Sequence, residues 1–336
     1  MVRSTRQHRR SVAASALAVA AVAAALLAPG TASAVSTPVS STALAPTVVP
    51  MVTSGKVDRS SRAAVLAAYH DRVYLPSRVT TTWSGSTSTC TPGATSTTYR
   101  TATLTVINWA RGQAGISAVP RLDSTYSARA QRAALIMQAN SSLSHNPPSS
   151  WSCWSSSGSY GASHSNLALG AAGVWSVLMY LAEPGSGNTM VGHRRWLLYP
   201  RQAALGIGNT SRAGAVYVAG TPLATRPVGT PAYYAWPTSG YFPRAAEPHG
   251  LWSLSSSLGY SFRYATVRVT GPGGVAVKVT RYTPANGYGD NTLTWRLASL
   301  PSHTVRTDQS WHVTVAGIRT ASGRSTSYSY AVTLIS

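Results

Sequence analysis

The stretch VGHRRWLLYP, residues 191 to 200, decides how the first two-thirds of the chain is read. A histidine set between a glycine and two arginines opens an apolar run, Trp196-Leu197-Leu198, which a proline closes at position 200. That pattern predicts a short helix starting near Asn188 or Thr189, with His193 in an early turn. The positive end of a helix dipole disfavours an imidazolium, which leaves a ring nitrogen free for a metal or a proton. Arg194 and Arg195 are expected at the surface or on backbone carbonyls rather than on substrate. Whether His193 does chemistry or merely fills a bend depends on what the rest of the chain brings to it.

Three upstream segments offer partners. GVWSVLMYL, residues 173 to 181, is apolar nearly all round and predicts a helix buried on most sides. It ends at Glu183, one of only two glutamates in the chain. SARAQRAALIMQAN, residues 127 to 140, carries an alanine stripe at helical spacing with Ser127 or Thr125 as its cap. His145 follows it in LSHNPPSSW, and HSNLALG leads from His164, Ser165 and Asn166 into an apolar run. The two histidines are too far apart in sequence to be the i, i+4 pair of a helical zinc site. Glu183 is suited to accept the other N–H of a histidine, as carboxylates behind metal ligands do. A buried hydrogen-bond network and a ligand site are both consistent with these residues. His70, His164, His249, His303 and His312 have no assignable partners and read as ordinary surface or loop residues.

Elsewhere, residues 60 to 74 and Thr103 to Gly112 show helical spacing, and residues 80 to 98 form a Ser/Thr loop carrying Cys90. LGIGNTSRAGAVYVA, residues 205 to 219, predicts two strands around a turn. After about Thr221 helical periodicity stops. TVRVTGPGGVAVKV, NTLTWRL, WHVTVAGI and YSYAVTLI alternate in short runs between Gly, Pro and Asn, as in an antiparallel, immunoglobulin-like sandwich. AWPTSGYFP, residues 235 to 243, is expected to join the two regions, with its rings packed rather than presented to a sugar. The fold class is therefore α+β, with a helix-rich domain over 55–220 and an all-β domain over 221–336.

The N-terminus reads as an export signal over 1–34. Arg3, Arg6, Arg9 and Arg10 precede an apolar stretch, and Ala32-Ser33-Ala34 supplies the cleavage residues. A Ser/Thr/Pro/Ala lead-in follows over 35–54. No later stretch is long and apolar enough for a transmembrane segment. Cys90 and Cys153 are the only cysteines and, in an oxidising exterior, read as one disulfide. The net charge of +21, with seven acidic residues in the chain, favours anionic extracellular polymers such as those of a cell wall. The arginines are scattered rather than interleaved with aromatics on one stripe, which argues against specific nucleic-acid recognition.

INWARGQAG, LSH at 143–145, SNLALG at 165–170, YLAE at 180–183 and VGHRRWLL stand in the order and spacing of the CAP superfamily. That superfamily comprises cysteine-rich secretory proteins, antigen 5 and pathogenesis-related class 1 proteins. The resemblance spans roughly 103–218 and is closest to the bacterial secreted branch. It implies an α-β-α sandwich with a cleft lined by a His, Glu, Glu, His tetrad. His145, Glu183 and His193 match three of the four, while Ser165 stands where the first glutamate is expected, beside Asn166. The expected function is a secreted protein binding a small or lipidic ligand, or a divalent metal such as zinc at His145 and His193. A zinc- or Ser165-dependent hydrolase using Glu183, and a wall-retained protein with an inert cleft, are the alternatives. The missing oxyanion-hole and elbow signals around Ser165 weigh toward binding rather than catalysis.

Overall fold

The computed structural model describes residues 55–119, 121–299 and 302–336. The expected signal and lead-in, 1–34 and 35–54, lie outside them. Helix α1, Arg62–Tyr69, is capped by Ser61 and runs through a π-helical turn, His70–Tyr74, into a last turn at Leu75–Ser77. Helix α2, Thr97–Gln113, starts earlier than its apolar spacing suggests, because the Ser96 side chain accepts from Tyr99 N–H and caps it there. Helix α3, Ser124–Asn140, is capped by Asp123, whose carboxylate accepts from Tyr126 N–H, and not by Ser127 or Thr125. Asp123 precedes the alanine stripe by a full turn, and the cap lies where the charge is, not where the stripe begins.

Helix α4, Ser156–Ser163, leads into strand β1, Ser165–Leu169. Helix α5, Val174–Ala182, and helix α6, Gly192–Leu197, follow, then strands β2, Gly206–Asn209, and β3, Ala213–Tyr217. The three strands form an antiparallel sheet in the order β1-β3-β2. Its side chains alternate between two cores. Leu167, Ala213, Ala215 and Tyr217 meet the alanine stripe of α3, while Ala168, Ile207 and Val216 join Val106, Ile107, Val174 and Leu197. Helices thus cover both faces, and the layers are α-β-α. The small stripe lets α3 approach closely: a Cβ at Gly208 would collide with the Gln131 backbone.

The remaining strands are β4, Tyr233–Trp236; β5, Gly240–Pro243; β6, Leu251–Ser256; β7, Thr266–Thr270; β8, Ala276–Val277; β9, Val279–Arg281; β10, Asn291–Leu297; β11, Gln309–Arg319; and β12, Ser325–Ile335. They form a four-stranded sheet, β4-β6-β10-β9, and a five-stranded one, β5-β12-β11-β7-β8. All neighbours are antiparallel except β5 and β12. Trp252 of one sheet meets Trp311 of the other edge-on at 6.2 Å, in a sandwich core that also holds Trp295, Leu254, Val313 and Val332.

AWPTSGYFP supplies both β4 and β5, and so passes from one sheet to the other. Its rings pack. Trp236 is fully buried, edge-on to Trp109 of α2 at 5.9 Å and to Phe242 at 4.9 Å. A single hydrophobic cluster therefore runs from α2 through Trp236 into the β-sandwich.

The structure contains the Cys90–Cys153 disulfide, which ties the 80–98 loop to the segment after α3 across 63 residues. A loop of that length restricts the unfolded chain by about 4 kcal/mol in the chain-entropy account. Replacing both cysteines by serine should lower the unfolding free energy by about that amount, read in urea melts as a smaller midpoint with a somewhat steeper slope, because the unfolded chain is then less compact. An unchanged midpoint would show that the crosslink acts elsewhere than on the unfolded state.

Candidate functional site

Helix α6 begins at Gly192, four residues after Asn188 and three after Thr189, where the sequence placed its start. Asn188 instead closes the preceding bend by donating Nδ2–H to the Pro184 carbonyl, 2.6 Å away. Val191 at the helix start offers no capping side chain. The cap comes from Glu183: its Oε1 accepts from the Arg194 N–H at 2.9 Å, and its Oε2 accepts from His193 Nδ1 at 2.7 Å. Glu183 holds a left-handed backbone, φ 53°, at the end of α5, and its side chain is fully buried. With both oxygens taken, it stands behind His193 as an orienting carboxylate.

The second imidazole arrives from the loop after α3, where His145 Nδ1 bonds the Ala162 carbonyl at 2.9 Å. A carbonyl only accepts, so Nδ1 carries the hydrogen and Nε2 is left without one in the neutral ring. The same logic fixes His193, whose Nδ1 faces a carboxylate. Asn166 on β1 donates Nδ2–H to the His193 carbonyl at 3.0 Å, and Tyr180 of α5 stacks on the His193 ring at 5.4 Å. The Tyr180 hydroxyl donates to the Asn166 and Gly214 carbonyls, and burial pushes its phenol well above the usual range.

His145, Ser165, Asn166 and His193 line one cavity of about 460 Å³, and Glu183 lies behind it. A second cavity, about 370 Å³, shares His145, Asn188 and His193 and extends over apolar Leu143, Leu167 and Met179. The Ser165 hydroxyl is buried and has no hydrogen-bond partner, so no imidazole is poised to deprotonate it. Among the described residues, no group of three or more His, Cys, Asp or Glu side chains is arranged to hold a metal ion.

Four of the five histidines set aside on sequence have partners. His164 bonds the Tyr160 carbonyl through Nδ1 at 2.9 Å, stacks on Tyr160 at 4.0 Å and lines the larger cavity. His303 bonds buried Glu247 at 3.2 Å and stacks on His249, ring centres 4.9 Å apart. His70 bonds Asp71 at 2.8 Å. His312 alone is an exposed strand residue.

Arg194 and Arg195 are buried, not at the surface, and they do bond carbonyls. Arg194 donates to the carbonyls of Leu181 and Leu251 and to the Ser253 hydroxyl. Burial lowers its pKa to about 10, opposed by the Glu183 and Glu247 carboxylates, so it stays charged at neutral pH. Arg195 donates to the carbonyls of Ala285 and Asp290, both at 2.9 Å, and lies over the Tyr288 ring at 5.4 Å. That pins the loop between β9 and β10 at the cleft, where Gly287 and Tyr288 complete its wall. Nothing in the sequence signals this, because the loop is remote in the chain and has no motif.

In the same loop Asp290 accepts from the Tyr234 hydroxyl at 3.0 Å. Burial raises its pKa to about 6, against the lowering effects of the Tyr234 bond and of Arg201, Arg195 and Arg226. Because the folded state holds this proton more tightly than the unfolded state, the group's contribution to stability is complete below about pH 4. It is lost as pH rises through about 6, by about 2 kcal/mol after allowance for partial exposure. Asp290→Asn should flatten that part of the stability profile, measured by urea melts between those pH values. A wild-type profile already flat there would contradict the assignment.

No curated protein matches the chain. Residues 104–218 match the family model described as Cysteine-rich secretory protein family, which covers α3 to β3 and most of α2. With the α-β-α layers and the Glu183–His193 arrangement in place, this region of the chain belongs to the CAP family.

Proposed function

We propose that this is a secreted CAP-domain protein whose cleft binds a ligand or a divalent metal ion at His145 and His193. One observation carries the reading: both imidazoles bind obligate acceptors through Nδ1, which leaves their Nε2 lone pairs beside one shared cavity. Glu183 fixes the orientation of His193 through a buried hydrogen bond. A structural network alone would not need two nitrogens left free at a cavity wall.

A divalent ion at this pair would have two protein ligands, one fewer than the three that hold a catalytic zinc. Such an ion would supply Lewis acidity, while His145 and His193 hold it and Glu183 keeps the His193 ring in one tautomer. Ser165 lacks a base, which leaves binding as the better-supported role. The described residues contain no helix long and apolar enough to cross a membrane. The disulfide suits an oxidising exterior, and the net charge, +21 less the four signal arginines or +17, suits retention by anionic wall polymers.

Calorimetric titration with zinc should give one weak site, and His145→Ala and His193→Ala should each weaken it by at least roughly tenfold, as loss of a metal ligand does. Equal behaviour of wild type and both variants toward zinc and toward any cleft ligand would leave an inert cleft.

A further inference from the structure

We infer that the ligand of this cleft is an uncharged saccharide, and that Tyr288, from the β-region, is a specificity-determining residue. This rests on the cleft reading above and deepens it. The chain carries 28 basic residues, yet no Arg, Lys, Asp or Glu side chain lines the larger cavity. Recognition there is by hydrogen bonding and shape, not by net charge.

The hydrogen-bonding groups present are uncharged side chains, some of them fixed by their partners. His145 and His193 each donate Nδ1–H to an oxygen that can only accept, so each neutral ring offers Nε2 as an acceptor, while His164 Nδ1 lies between the Tyr160 carbonyl and the Ser163 hydroxyl. Asn166 and Asn188 each donate one amide hydrogen to a carbonyl, which leaves a second N–H as a donor and Oδ1 as an acceptor. Ser165 Oγ, nine-tenths buried and unpartnered, can play either role. With the Trp196 indole N–H and the Tyr288 hydroxyl, the cavity offers both donors and acceptors, none of them on a charged side chain.

A complementary ligand must therefore be neutral and carry groups that both donate and accept. An ammonium group would enter without a carboxylate to meet it, inside a strongly cationic protein. Sugar hydroxyls can donate to every one of these acceptors while remaining neutral. Trp196 and Tyr288 supply aromatic walls, whose electron-rich faces suit the C–H bonds of a pyranose ring. The volume of about 460 Å³ is in the range of small-molecule pockets.

Tyr288 is held for this task. Its ring lies against Gly192, where an added Cβ would come within 3.0 Å of it, and Arg195 covers it from the other element. The β-region thereby places an aromatic side chain next to His193.

The test is a titration of the full-length protein with three uncharged tetrasaccharides, β-1,4-linked N-acetylglucosamine, mannose and glucose, followed by calorimetry and tryptophan fluorescence. At least one should bind with an affinity that added salt does not reduce. Tyr288→Ala, with a melting profile like the wild type, should weaken binding roughly tenfold or more, and Tyr288→Phe should keep it within about threefold, since stacking does not need the hydroxyl. Three results would overturn the inference: no binding of any of the three, binding that falls with salt, or full affinity in Tyr288→Ala. If zinc still binds in a His145- and His193-dependent way, the cleft reading survives that failure. If zinc binding is also absent, both fall.

Discussion

The buried carboxylate of Glu183 is the constraint on which the rest of the site depends. A charged group with no exposed surface is tolerated only when both oxygens are answered, and here the answers come from His193 Nδ1 and the Arg194 amide. Those two bonds set where α6 begins, which tautomer His193 adopts and which way its free nitrogen faces. The Arg194 side chain then continues inward to the carbonyls of Leu181 and Leu251. One carboxylate thus fixes a ring, a helix start and the approach of a second region of the chain.

That second region is part of the site rather than an appendage to it. The outer face of the four-stranded sheet carries Ser253, Ser255, Thr292 and Thr294, which alternation would assign to solvent, yet all four are buried. Thr294 donates to the Thr189 carbonyl at 2.7 Å and Ser253 accepts from Arg194 at 3.0 Å. The segment that carries His193 thus satisfies two of the four, while Ser255 and Thr292 bond each other at 2.8 Å. Arg195 adds the loop bearing Tyr288, and Trp236 joins the cores. The cleft wall, α6 and the sandwich are held by overlapping sets of bonds, so disturbing any one of them is felt at His193.

Local signals carried much of this into the sequence. The alanine stripe of α3, the apolar run of α5 and the alternating C-terminal runs each pack as their periodicity requires. The ordered motifs around His145, Glu183 and His193 pointed to a common cleft, and the cysteine pair to a single bridge. What escaped was set by contacts across long separations. Glu183 caps α6 from another element, so no residue adjacent to the helix announces its start. His303 finds its partner only when Glu247, 56 residues away, is buried beside it. Tyr288 is positioned by Arg195, some ninety residues away, a relation that no spacing rule encodes.

The contrast between surface and cleft explains how one chain can be so basic and still present a neutral recognition site. Its arginines divide into two populations. Arg194, Arg195, Arg111 and Arg244 are buried and used internally, bonded to carbonyls that would otherwise be unsatisfied. Others, such as Arg263, Arg268 and Arg324, are exposed and project a positive long-range field. Screening by salt weakens that field, but it has little hold on hydrogen bonds inside a cavity without charged walls. The long-range field and the chemistry of the cavity wall are then carried by separate sets of side chains, and each can change without the other.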